Sequence, residues 1–227
     1  IPEIGFSAMQ KTWIKEIYTW PSPRPEDEGI SLILNLIKEM PSKFNNIGAE
    51  LGREMSLRMP LVDFISLKSN LSKNFIDASP MLWELRIIKS NAEIALMQYA
   101  ADLAALAHIE AMRECSLGMG EWHLQSIIEG CFLYHQSEWA YPSIVGSGDN
   151  ATILHYNENS DPLVDGDVVL IDAGCEIDGY ASDITRSFPV NGKFTDVQKQ
   201  IYDLVLRAQI AGIEACQVGA PWSAMHH

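Results

Sequence analysis

The sequence predicts an α/β (α+β) protein in two domains, and three observations predict it. Stretches with apolar residues at helical spacing alternate with short β-branched runs. A proline at position 80, directly after one such run, opens a new helical pattern. The dipeptides Asp165-Gly166, Asp178-Gly179 and Asn191-Gly192 supply tight turns around the strand-like runs of the second half. The domain boundary is therefore expected at Ala78-Ser79-Pro80, giving residues 1–78 and 79–227.

In the first domain, Trp20-Pro21-Ser22-Pro23-Arg24-Pro25 excludes helix and central strand. A helix is expected from Glu26 to Met40, with Ile30, Ile33, Leu34 and Ile37 on one face and Glu26, Asp27 and Glu28 in its first turn, where carboxylates suit the helix dipole. Asn46 to Leu51 reads as a strand, Leu61 to Leu71 as a helix and Asn74 to Asp77 as a second strand. None of these segments carries a chemical motif.

The second domain opens with helical segments. Ser90-Asn91-Ala92-Glu93 has the form of a capping box before an alanine-rich helix ending near Cys115. Gly118-Met119-Gly120 breaks the chain, and Glu121 to Gln136 resumes as helix. His108, His123 and His135 are read as structural, since the last two sit too far apart to share an ion. Tyr141 to Asn150 is expected to be a strand running into a glycine-rich turn that does not match a phosphate-binding loop. A short strand, Thr152 to Leu154, is expected to end at His155. Thr195 with Gln198 caps a last helix, expected to run to Gly219.

The chemistry concentrates between these helices. Val168-Val169-Leu170-Ile171 reads as a buried strand ending in Asp172, and a second strand-like run contains Asp183. Two carboxylates brought together are costly to bury unless a cation lies between them. Hard oxygen donors of this kind suit Mn²⁺, Mg²⁺ or Zn²⁺. The alternative is that Asp172 and Asp183 are turn carboxylates bonded to backbone N–H groups or to Arg186.

Three ordered motifs then carry a resemblance. Ile153-Leu154-His155-Tyr156-Asn157-Glu158-Asn159, Leu170 to Glu176, and Gly179 to Phe194 resemble the bacterial Xaa-Pro aminopeptidase (aminopeptidase P) branch of the M24 metallopeptidases, which have the creatinase or pita-bread fold. Arg86-Ile87-Ile88-Lys89-Ser90-Asn91-Ala92-Glu93-Ile94 is similar to the opening of that catalytic domain. The resemblance implies that 1–78 is the remainder of a creatinase-like N-terminal α/β domain and 79–227 the first half of a pita-bread catalytic domain. It implies a metal-dependent exopeptidase that removes the first residue of peptides with proline second. Asp172 and Asp183 would be metal ligands and His155 the catalytic histidine that handles the peptide. The cofactor would be a divalent metal, two Mn²⁺ in the complete enzyme, with Zn²⁺ or Co²⁺ as alternatives. A homo-oligomer, dimer or tetramer, is also implied. The family's other three ligands, one histidine and two glutamates, find no match after Asp183, where Glu214 lies in a helix and His226 and His227 fall outside any motif. The chain thus reads as truncated at both ends and inactive or nearly so by itself. The family also shows a tyrosine between the Tyr-Pro-Ser and Ile-Val-Gly parts that is absent here.

Composition sets outer limits. A formal charge of −14 and a pI near 4.7 argue against a nucleic-acid partner. Cys115, Cys131, Cys175 and Cys216 form no C-x-x-C pair, so a reduced, cytoplasmic setting is expected. No apolar run reaches the length of a membrane span, so no membrane partner is expected. Two other functions stay open: an Xaa-Pro dipeptidase or other amide hydrolase of the same fold, and a metal-free binding module built on it.

Overall fold

The structure, a computed structural model, describes residues 2–41, 43, 45–53 and 55–226. Packing divides the chain into two compact units, one ending at Ile88 and one beginning at Lys89.

The first unit contains α1 (Pro2–Lys11), α2 (Ile30–Glu39), β1 (Asn46–Ala49), α3 (Leu61–Asn70), β2 (Asn74–Asp77) and α4 (Ser79–Ile87). β1 and β2 pair in parallel, with Ile47 opposite Phe75. The acidic run Glu26-Asp27-Glu28 lies ahead of α2 rather than in its first turn. Gly29 takes a left-handed conformation (φ 88°) that keeps the preceding residues out of the helix. The carboxylates act locally instead: Asp27 Oδ1 accepts from Ser31 N at 2.9 Å and Glu28 Oε1 from Arg24 N at 2.6 Å. Packing divides the chain past the Ala78-Ser79-Pro80 step because the start of α4 is tied to the first unit. Ser79 donates N–H and hydroxyl to Asp77 Oδ1, and Gly52 N donates to Ser79 Oγ at 3.1 Å.

The second unit begins with α5 (Asn91–Glu114) and α6 (Glu121–Tyr134), followed by β3 (Glu138–Trp139), β4 (Ile144–Ser147), β5 (Val168–Ala173), β6 (Cys175–Ile177), β7 (Tyr180–Ala181), β8 (Ile184–Pro189) and α7 (Asp196–Ala215). The expected capping boxes of α5, Ser90 with Glu93, and α7, Thr195 with Gln198, are both formed. The strands make two antiparallel three-stranded sheets, β3-β6-β7 and β4-β5-β8.

The core lies where α5 and α6 meet the second sheet. Ala100, Leu103, Ala104, Ala107 and Ala111 form the buried stripe of α5, and their small side chains let it approach Leu124, Ile128 and Phe132 of α6 and Val169, Ile171 and Ala173 of β5. Burying each of the larger side chains stabilises the fold by about 1.5–3 kcal/mol. His108 joins this stripe, its Nδ1 2.8 Å from Ala104 O.

In the second unit two local expectations fail. Thr152–Leu154 is not a strand, because Gly148–Thr152 forms a 3-10 turn, with Ile153 N bonded to Asn150 O and Thr152 Oγ1 to Asp149 O. α7 stops at Ala215, short of Gly219, and the following Trp222–His226 is a 3-10 turn. His227 lies outside the described residues. No side chain of α7 is buried; Val197, Ile201, Leu204, Val205 and Ile213 are 59–65 % exposed.

Candidate metal centre

β5 runs through the middle of its sheet with Val169, Ile171 and Ala173 buried, so alternation turns Val168, Leu170 and Asp172 to the opposite face. After Gly174 the chain continues as β6, reverses at Asp178 (φ 50°) and Gly179 (φ 85°), and returns through β7 and β8. A reversal with two left-handed residues matches the twist of the flanking strands. The ladder holds from Val168↔Pro189 to Ala173↔Ile184, lapses, and resumes at Glu176↔Ala181. Asp183 sits in that lapse.

Asp172 pairs with Thr185. Asp183, two residues earlier on the return strand, is therefore its diagonal neighbour on the same face, within reach of a common atom. Backbone closeness at this point depends on Gly174, where a Cβ would collide with the carbonyl oxygen of Ser182. Ser182 secures the junction: its N donates to Cys175 O at 2.8 Å and its Oγ accepts from Cys175 N at 3.0 Å.

The atom the two carboxylates share is the hydroxyl oxygen of Tyr141, 2.6 Å from Asp172 Oδ1 and 3.0 Å from Asp183 Oδ1. Tyr141 arrives from the chain just before β4, whose Ile144 pairs with Asp172. Burial, reinforced by Asp172 and then Asp183, pushes its phenol well above the usual tyrosine range, which keeps it protonated as the donor. Arg186 does not take this place; its Nη1 donates to Thr185 O at 2.8 Å.

Tyr141, Pro142, Ile144, His155, Asn157, Asp172 and Asp183 line one cavity of about 270 Å³. All three residues singled out from the sequence, His155, Asp172 and Asp183, thus reach the same space. His155 is exposed and sits at a left-handed position (φ 56°) after the 3-10 turn. Tyr141 and Asn157 went unassigned. Asn157 stood inside a quoted motif, whereas the role of Tyr141 depends on the register of β4 against β5, which no local pattern displays.

Two carboxylate oxygens within 3.0 Å of one point form a hard-oxygen donor pair, suited to a divalent cation. The residues present fit a metal as part of a ligand set. Among the described residues, no group of three or more His, Cys, Asp or Glu side chains is placed to hold one.

The family model "Metallopeptidase family M24" matches residues 95–227. The chain is 52% identical over 134 residues to the Xaa-Pro aminopeptidase of Escherichia coli (strain K12), covering 59% of this chain and 30% of that enzyme. It is similar to the solved structure of Pseudomonas aeruginosa aminopeptidase PepP, with TM-score 0.80 and 36% identity over 98% of this chain and 50% of that one. Escherichia coli aminopeptidase P with the inhibitor Pro-Leu is also similar, with TM-score 0.71 and 41% identity over 80% of this chain and 43% of the other. The chain spans about a third of the length of the curated relatives it matches.

Proposed function

The chain belongs to metallopeptidase family M24, with the pita-bread fold of the aminopeptidases P, and from that premise we propose that it serves a metal-dependent Xaa-Pro aminopeptidase, releasing the first residue of peptides with proline in second position. The observation that carries this reading is the convergence of Asp172 and Asp183 on one point. Asp172 and Asp183 would hold the metal, manganese in this reading. A divalent metal bound there supplies Lewis acidity toward the peptide carbonyl and a nucleophile at neutral pH.

The chain's own residues do the rest. Before a metal binds, the Tyr141 hydroxyl bridges Asp172 Oδ1 and Asp183 Oδ1 and holds the two carboxylates together at the cavity. His155 presents an imidazole from the cavity rim, where it can donate to a carbonyl oxygen as charge develops there. Asn157 and Ile144 bound the space offered to the peptide. The Pro-Leu inhibitor of the Escherichia coli neighbour supports a peptide ligand with proline beside the scissile position. The proposed setting is cytoplasmic, supported by four unpaired cysteines, and the proposed assembly is a dimer or tetramer, supported by the family resemblance. The residues 1–78 are proposed as the remainder of the N-terminal domain, and no helix among the described residues is long and apolar enough to cross a membrane.

The test is binding of Pro-Leu followed by titration calorimetry with and without Mn²⁺. Mn²⁺-dependent heat is expected with Pro-Leu, not with the proline-free Leu-Leu, and is expected to vanish in Asp172→Asn and Asp183→Asn. Equal binding of both dipeptides, or binding indifferent to the two substitutions, would overturn the assignment.

A further inference from the structure

One carboxylate in the second unit has no part in the chemistry above, yet it is fully buried. Glu121 is 0 % exposed at the start of α6. Burying a carboxylate costs several kcal/mol unless its oxygens are satisfied, and here they are. Oε1 accepts from Ser147 N at 2.7 Å and from Asn150 Nδ2 at 3.2 Å. Oε2 accepts from the Tyr156 hydroxyl at 2.9 Å and from Asp161 N at 3.0 Å. Four donors fill the acceptor capacity of one carboxylate.

Those donors are not scattered. Ser147 and Asp161 are the two ends of the segment that carries His155 and Asn157 into the cavity; Asn150 lies within it, and Tyr156 adjoins His155. Asn150 closes the network by donating to Tyr156 Oη at 3.0 Å and to Asp161 Oδ2 at 2.9 Å. Besides this network the segment holds a short 3-10 turn, the left-handed His155 and a left-handed, buried Asn159, which accepts from Val145 N at 2.9 Å and donates to Ser143 O at 2.8 Å, bonds that do not involve Glu121. A left-handed conformation at a non-glycine residue costs about 1–2 kcal/mol and persists only where its surroundings over-determine it.

We infer that Glu121 is a positioning residue: it clasps both ends of the 147–161 segment and, through Tyr156, sets where the His155 imidazole stands. This rests on the reading of His155 as the group that meets the peptide. The clasp itself is tested without peptide or metal.

In Glu121→Gln one acceptor end becomes an NH₂ facing the donors of its partners. Amide hydrogen exchange at Ser147 and Asp161 is expected to rise by about tenfold or more, while Ile171 in β5 stays within about twofold. In ¹³C–¹H spectra the His155 ring signal is expected to broaden or split, with the rings of His123 and His135 unchanged. Tyr156→Phe, which removes one donor and is expected to fold as the parent does, should broaden the His155 signal alone and leave Ser147 protected. Unchanged exchange at Ser147 and Asp161 in Glu121→Gln would overturn the clasp. An unmoved His155 signal in both variants would reduce Glu121 to a structural role and overturn the positioning. Failure of the Pro-Leu experiment, by contrast, leaves both readouts intact and strikes only the peptidase reading.

Discussion

Asp172 and Asp183 share a single hydroxyl, that of Tyr141, at 2.6 and 3.0 Å. The two carboxylates face each other across one proton, the arrangement a cation would otherwise neutralise. Removing the donor in Tyr141→Phe is expected to destabilise the second unit by about 1–2 kcal/mol, because it leaves two carboxylates together without a partner between them. Added Mn²⁺ should raise the melting temperature more in Tyr141→Phe than in the parent, since the hydroxyl no longer competes for the same oxygens. Equal shifts would place the metal elsewhere.

Gly174 makes that meeting possible. Its Cβ would overlap Ser182 O, a backbone atom that cannot swing aside, so Gly174→Ala must displace the turn holding Asp183. A loss of about 2 kcal/mol or more in urea unfolding is expected. Gly130, with nothing within 4 Å of its Cβ and a helical setting, is the control; Gly130→Ala should be neutral or stabilising by about 1 kcal/mol.

Metal affinity follows from ligand number. With two carboxylates converging, Mn²⁺ is expected to bind this 227-residue chain only weakly, with Kd on the order of 10⁻⁴–10⁻³ M, and turnover of an Xaa-Pro peptide should be slight. Electron paramagnetic resonance of free Mn²⁺ measures the first; release of free amino acid measures the second. Micromolar binding that survives Asp172→Asn would contradict the site.

Glu93 predicts an acid transition. The Ser90 N–H that it accepts, with the Tyr180 hydroxyl at 2.7 Å and the Ser90 hydroxyl, lowers its carboxyl from 4.5 to about 2. The folded value lies below the unfolded one, so the folded state binds fewer protons there. Its contribution is present above about pH 4.5 and is lost as pH falls toward 2. Urea midpoints of Glu93→Gln should accordingly change less than those of the parent over that window, with the two chains differing most near neutrality.

Much of this was legible in the chain itself. Ser90 and Glu93 announced the start of α5 because a capping box is written in four adjacent residues, and Asp178-Gly179 announced the reversal that brings the aspartates to one face. Contributions from distant sequence were hidden. Tyr141 reaches the aspartates only through the pairing of Ile144 with Asp172, and Glu121 looks like an ordinary helix-start acid until Ser147, Tyr156 and Asp161 fold around it. The segment from Thr152 to Leu154 has the composition of a strand, yet carbonyls of Asp149 and Asn150 draw it into a tight turn. Glu26 to Glu28 were misplaced because the left-handed Gly29 decides where α2 begins, and glycine gives no warning of which conformation it will take.

The wetted flank of α7 divides the labour within the second unit. A twenty-residue helix with no fully buried side chain leans on its Thr195 cap, its own ladder and a few contacts near its start, where Gln198 donates to Gly166 O at 2.8 Å and Tyr202 is half-buried against Phe194. Most helical stability in proteins comes instead from packing an apolar face. Unzipping is therefore expected to begin at its Ala215 end and spread backward under conditions that leave the α5–α6 layer untouched. The acidic pair should outlast it, because its shared tyrosine comes from the chain before β4 and neither aspartate borrows a bond from the helix that frays.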